Sequence, residues 1–131
     1  MEVETVVPVL RIFDVEKAKE FYTGFLGFKV DWDHTFGPDM AVYMQVSRGD
    51  KLVLHLTEHH GDCCPGSNVY ICLSKGLEEF HKEISSKGYK YAKPGIQVEE
   101  WGQKTVEVTD PFGNKLRFCQ KIEAGEQAAA T

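Results

Sequence analysis

No run in this 131-residue chain approaches the roughly 18 consecutive apolar residues of a membrane span. The opening Met1-Glu2-Val3-Glu4 lacks the basic start of a secretory signal. Positive charge is in deficit: 15 Lys and Arg stand against 20 Asp and Glu, a formal net charge of −5. That balance speaks against broad contact with a phosphate backbone, so nucleic acid is not the expected partner. A cationic or neutral small ligand suits an acidic chain better than an anionic one. Cysteines are few, four in all, at 63, 64, 72 and 119, and none forms a C-x-x-C pair. A zinc knuckle and a thioredoxin-like motif are thereby excluded. The expected setting is cytoplasmic and reduced. Cys72 and Cys119 are expected as small buried strand residues, and Cys63 and Cys64 as loop thiols.

What is present is ordinary for one soluble domain: 42% hydrophobic and 27% charged residues. Val6 to Ile12 is rich in β-branched residues and reads as a strand. Pro8 cannot donate to a ladder and places it at an edge. Asp14 is an N-cap. Val15, Ala18, Phe21, Tyr22, Phe25 and Leu26 recur at helical spacing until Gly27. Phe28 to Asp33 alternates as a strand, and Thr35 to Asp39 is a turn. Met40 to Ser47 and Lys51 to Thr57 form a hairpin around Arg48-Gly49-Asp50, with Tyr43 and Gln45 on one face. Glu58 to Ser67 is a polar crossover.

The plan then repeats. Asn68 to Ser74 is a strand, and Leu77, Phe80, His81 and Ile84 mark a helix that closes at Lys87-Gly88. Strands are expected at Tyr89 to Tyr91, Ile96 to Trp101, Thr105 to Thr109 and Lys115 to Gln120. Asp110-Pro111-Phe112-Gly113-Asn114 is a strong turn. Lys121 to Thr131 is a loose tail. Phe21…Gly27-Phe28 and Phe80…Gly88-Tyr89 share one pattern, the mark of a diverged duplication with a period of roughly 60 residues, too long for a solenoid. The fold class is therefore α+β. Two βαβββ modules, about 5–58 and 68–120, form curled mixed sheets around a groove, with helices on the outer faces. Together they make a single domain, 1–120. Such a groove is where a small ligand binds.

Val7-Pro8-Val9-Leu10, Asp14-Val15, Glu20-Phe21-Tyr22 and Leu26-Gly27-Phe28 resemble the opening of the vicinal-oxygen-chelate superfamily. Trp101-Gly102 and Thr109-Asp110-Pro111-Phe112-Gly113-Asn114-Lys115-Leu116-Arg117-Phe118 resemble its closing segment. The likeness spans about residues 5–120 and is strongest to glyoxalase and bleomycin-resistance members. Enzymes of this superfamily hold a metal on about four inward His, Glu or Gln residues. At the matching positions this chain has Val7, His55, Asn68 and Arg117. One donor in four does not hold zinc, and an arginine repels a cation. The resemblance therefore implies the bleomycin-resistance group, with no metal, no cofactor and no catalytic residue. Members of that group sequester a drug and leave it chemically unchanged. They resemble two-fold dimers with ligand grooves between subunits, often with the first strand exchanged, and symmetric dimers are the commonest oligomer.

A planar, cationic drug calls for aromatic walls and carboxylates. By the resemblance, Trp32 and Trp101 match aromatic ligand contacts, and the crossover bearing His60 and Asp62 lies near the pocket. Phe36, beside Gly37-Pro38, is a candidate lid. Tyr43 and Tyr70 sit on strands that line the groove, and Glu100, with Asp31, Asp33 and Glu99, adds negative potential. Arg117 faces the groove if the metal-position match holds, with His55 or Glu107 as its partner. The expected function is metal-free sequestration of a bleomycin-like drug, and with it antibiotic resistance. The alternatives are a metal-dependent glyoxalase, thiol transferase or dioxygenase, and a binder of another small metabolite.

Overall fold

The computed structural model describes residues 1–35, 37–89 and 93–123. Phe36, residues 90–92 and the tail from residue 124 lie outside the described residues, and with them the expected lid, most of the strand expected at 89–91 and most of the tail. The chain divides into two compact units, residues 1–67 with 110–114, and residues 68–109 with 115–131.

The first unit begins with β1 (Val9–Arg11) and α1 (Val15–Lys19). The Asp14 side chain caps the helix by accepting from the Lys17 amide at 3.0 Å, which satisfies one of the unpaired N–H groups of the first turn. The helix widens into a π-helical stretch, Glu20–Phe25. The Leu26 amide there reaches back five residues to the Phe21 carbonyl at 2.9 Å. Gly27, at φ 77°, then reverses the chain. The strands β2 (Lys29–Thr35), β3 (Val42–Arg48) and β4 (Leu52–Thr57) follow. They form one four-stranded mixed sheet in the order β1-β4-β3-β2. β1 runs parallel to β4 of the same chain, pairing Val9 with His55 and Arg11 with Thr57. It sits at the sheet edge, where the Pro8 carbonyl still accepts from the His55 amide at 2.9 Å. Leu10, Phe21, Tyr22, Phe25, Met44, Val46, Leu54 and Leu56 are buried and make this unit's core.

The second unit repeats the plan. It contains β5 (Asn68–Leu73), α2 (Leu77–Ser86), β6 (Gln97–Val98), β7 (Gln103–Thr109) and β8 (Lys115–Lys121). The sheet order β5-β8-β7-β6 is the same mixed arrangement. Leu77, Phe80 and Ile84 of α2, Val106 and Val108 of β7, and Leu116 and Phe118 of β8 are buried. The ring centroids of Phe80 and Phe118 lie 4.4 Å apart. The α+β class and the twice-repeated strand-helix-strand-strand-strand order stand as the sequence implies.

Two local readings need correction. β6 is two residues long, not six, because the chain turns at Glu100 and Trp101 and the Gly102 amide bonds back to the Glu99 carbonyl at 3.2 Å. Cys72 is exposed rather than buried. It lies on the edge strand β5, while Cys119, its register partner on the same face and 3.5 Å away between sulfurs, lies on the interior strand β8 and is the buried one.

The turn at 110–114 belongs to the first unit. The Asp110 carboxylate accepts from Tyr22 Oη at 2.7 Å, from the Phe112 and Asn114 amides at 2.9 and 2.8 Å, and from Asn114 Nδ2 at 2.8 Å. Asn114 Nδ2 also donates to the Arg11 carbonyl at 2.8 Å, and Asn114 Oδ1 accepts from the Ser67 amide at 3.1 Å. Burial and the adjacent Asp110 push the Tyr22 hydroxyl well above its ordinary pKa, so it stays a donor.

Candidate functional site

The face of the first sheet opposite its buried core carries Tyr43 and Gln45 of β3, His55 of β4, and Trp32 of β2. A β-bulge explains how Trp32 arrives there. Val30 pairs with Val46, but Trp32 pairs with Gln45, so Asp31 is an extra residue in β2. A bulge re-aims side chains that simple alternation would put on opposite faces. Asp31 bonds to Gln45 Nε2 at 3.1 Å and Ser47 Oγ at 3.0 Å, while the Trp32 ring lies parallel to Tyr43, 10° between planes and 6.0 Å between centroids. Trp32 also meets His55 edge-on at 5.3 Å. The strict alternation expected from Phe28 to Asp33 therefore fails at Asp31.

Beside this stack opens a cavity of about 660 Å³, lined among others by Trp32, Met40, Tyr43, Thr57, His59 and Asp62. Its size falls within the usual range of roughly 300–1,000 Å³ for small-molecule sites. Thr57 Oγ1 donates to Asp62 Oδ2 at 2.7 Å and accepts from the His59 amide at 3.0 Å, which holds the start of the crossover against β4. His59 Nδ1 lies 3.2 Å from the Gly61 amide and 3.4 Å from Asp62 Oδ1. Trp32 remains 43% exposed, so part of its side chain is open to a ligand.

Behind the cavity wall runs a hydrogen-bonded chain. Tyr43 Oη contacts His55 Nδ1 at 2.8 Å, and His55 Nε2 contacts Gln45 Oε1 at 2.9 Å. Partial burial lowers the His55 pKa from its ordinary value. Asp31 is held below the ordinary carboxylate value by the bonds from Gln45 and Ser47. Burial, then Asp62 and Cys63, raises the Tyr43 hydroxyl.

The expected site residues thus fall into separate groups. Trp32, Tyr43 and Asp62 line the one cavity. His60 is exposed and stacks on His59, 5.3 Å between centroids, without being among the lining residues. On the second unit, Trp101 Nε1 and Tyr70 Oη both donate to Gln103 Oε1, at 2.8 and 2.6 Å, and Glu100 is exposed in the turn beside them. Arg117 pairs with Glu107 at 3.5 Å, whereas His55 is engaged by Tyr43 and Gln45. Phe36 lies outside the described residues. Met40 and Thr57 were not singled out by sequence. Gln45 carried a usable signal, since alternation already put it on the Tyr43 face. Gln103 carried none.

The metal set of the superfamily does not fit these residues. Both ring nitrogens of His55 are already bonded, Val7 has no donor atom, and Arg117 is held by Glu107. Among the described residues no three His, Cys, Asp or Glu side chains gather to hold a metal ion, and no helix is long and apolar enough to cross a membrane.

Comparison with known proteins agrees with the fold. A family model described as "Glyoxalase superfamily protein" matches residues 1–125. A bleomycin resistance protein of Geobacillus stearothermophilus is 24% identical over 135 residues, covering 90% of this chain and 97% of its own length. The crystal structure of a bleomycin-binding protein complexed with bleomycin superimposes with a TM-score of 0.69 at 27% identity, covering 91% of this chain and 99% of its own. The bleomycin-binding protein of Streptomyces verticillus, complexed with copper(II)-bleomycin, gives a TM-score of 0.64 at 26% identity, with coverage of 90% and 96%.

Proposed function

The chain belongs to the glyoxalase superfamily, and from that premise we propose that it is a drug-sequestering protein of the bleomycin-resistance type. It binds a planar, cationic molecule of the bleomycin class without altering it and without a resident metal. The observation that carries this reading is the aromatic cavity of the first unit. Trp32 presents a partly exposed ring, Tyr43 lies parallel to it, and Asp62 supplies a carboxylate to the lining. A cavity of about 660 Å³ takes a planar two-ring segment with its charged end rather than a whole glycopeptide. The relatives named above, which are bleomycin resistance and binding proteins, support the same ligand class. Val7, Asn68 and Arg117 at the superfamily's metal positions support binding over metal-dependent catalysis.

The same reading makes the protein a homodimer with ligand grooves between subunits, to which Trp101, Tyr70, Glu100, Arg117 and His60 contribute. On the second unit the exposed Val98 and Trp101, 56% and 60% accessible, support an apolar contact with a second copy. Four unpaired cysteines support a reducing cytoplasmic setting. The net charge of −5 supports a small-molecule partner over nucleic acid.

The test is survival of a bleomycin-sensitive bacterium that expresses the chain, with mass spectrometry of the drug recovered from the protein. Raised survival, lost in Trp32→Ala, with drug of unchanged mass is expected. Unchanged survival at good expression contradicts drug sequestration. Drug recovered with an altered mass contradicts binding without chemistry.

A further inference from the structure

We propose that Tyr43 reads a hydrogen-bond donor on the bound ligand, because its own proton is committed inward to His55 by a one-way relay that ends at Asp31. The inference rests on the small-molecule reading of the cavity, and it adds the chemistry of the group that enters.

Each link of the relay follows from valence. A carboxylate accepts and cannot donate. Asp31 Oδ2 therefore accepts a hydrogen bond from the Gln45 amide, at 3.1 Å, and Ser47 Oγ donates to the other carboxylate oxygen, at 3.0 Å. With its NH₂ turned to Asp31, Gln45 shows its carbonyl oxygen to His55. His55 must meet that acceptor with an N–H, so its proton sits on Nε2, 2.9 Å away. A neutral ring protonated at Nε2 has a bare lone pair at Nδ1. Tyr43 Oη, 2.8 Å from Nδ1, has to be the donor of that pair.

The consequence falls on the cavity. A phenol has one proton, and Tyr43 has spent it on His55. What remains on Oη toward the cavity is lone pairs. Asp62 is an acceptor too, and its neighbour Thr57 has already given its hydroxyl proton to it. Tyr43 and Asp62 thus ask for N–H groups, such as a primary ammonium, an amidinium or an amide, lying beside a ring stacked on Trp32. The Asp31 carboxylate is what sets the direction. It takes the Gln45 amide and the Ser47 hydroxyl across the β2–β3 pair, so a residue of β2 fixes the polarity of a hydroxyl on β3.

Two measurements test this. Nitrogen-15 spectra of the imidazoles in the free protein at pH 7.5 report the His55 tautomer directly, with an Nε2–H ring and a pyridine-type Nδ1 expected. Tryptophan-quenching titrations then compare tryptamine with its N,N,N-trimethyl counterpart, which keeps ring and charge and loses the ammonium N–H groups. The wild type should prefer tryptamine by about tenfold, the weight of one charge-assisted hydrogen bond, and Tyr43→Phe should abolish the preference. An Nδ1–H or doubly protonated His55, equal binding of both probes, no binding of either, or a preference that survives Tyr43→Phe overturns the proposal. A flat titration with metal-free bleomycin alongside an intact tryptamine preference overturns the drug reading and leaves this inference standing.

Discussion

Replacing Asp110 with alanine should destabilise the protein by about 3–5 kcal/mol. The figure follows from the bonds that end on its carboxylate. Four donors converge there, at 2.7 to 2.9 Å, in a site where Tyr22 and Asn114 are 0% exposed and Asp110 is 4% exposed. In the alanine variant, Asn114 Nδ2 keeps the Arg11 carbonyl. Tyr22 Oη and the Asn114 amide keep no acceptor. A buried donor left unpaired costs about 1–3 kcal/mol; these two and the half-buried Phe112 amide, which also loses its acceptor, give the total once offset by the relief of a desolvated carboxylate. The assay is urea unfolding followed by tryptophan fluorescence. At ordinary slopes the midpoint should fall by roughly 2 M. Tyr22→Phe alone should cost about 1–2 kcal/mol. Added to Asp110→Ala it should cost far less, because the orphaned hydroxyl is then gone. A loss below about 1 kcal/mol for Asp110→Ala, or strict additivity of the two substitutions, would refute this account of the turn.

Arg117→Ala offers the contrast: its partner Glu107 is 3.5 Å away and both side chains are more than a third exposed, so stability should change by less than about 0.5 kcal/mol in the same assay. His55 has a folded-state pKa below the ordinary 6.5, so the unfolded chain takes up this proton first as pH falls. Stability should therefore drop from pH 7.5 to 5.5 more steeply in the wild type than in His55→Gln, as read from urea midpoints. Thiol labelling by a disulfide reagent should modify Cys64 and Cys72 before Cys119, because the first two are exposed and Cys119 is buried, with its thiol pKa raised chiefly by that burial; equal rates in folded protein would contradict the burial.

Local signals made most of the fold legible. Asp14 announces a cap and makes one. Gly27 announces a stop and takes positive φ. The Asp-Pro-Phe-Gly-Asn turn is visible as a turn, but its role as a buried hub is not, since its partners Tyr22, Arg11 and Ser67 are distant in sequence. Trp32 and Tyr43 were identifiable as aromatic residues on strands. Their stacking depends on a bulge that the Lys-Val-Asp-Trp-Asp alternation hides. His55 was legible only as a leftover metal ligand. Its place between Tyr43 and Gln45 comes from the pairing of β3 with β4, Gln45 opposite His55, which no local pattern encodes. Trp101 stood out by rarity, while the glutamine that fixes it beside Tyr70 did not.

The most direct test of the central claim is a fluorescence titration of chelator-treated protein with metal-free bleomycin, run on the wild type, Trp32→Ala and Trp101→Ala. Binding in the first unit's cavity predicts saturable quenching at one drug per chain in the wild type and at least tenfold weaker binding in Trp32→Ala, the weight of a buried aromatic contact of about 1.4 kcal/mol or more. A flat wild-type titration with folded protein, or undiminished affinity in Trp32→Ala, would contradict it.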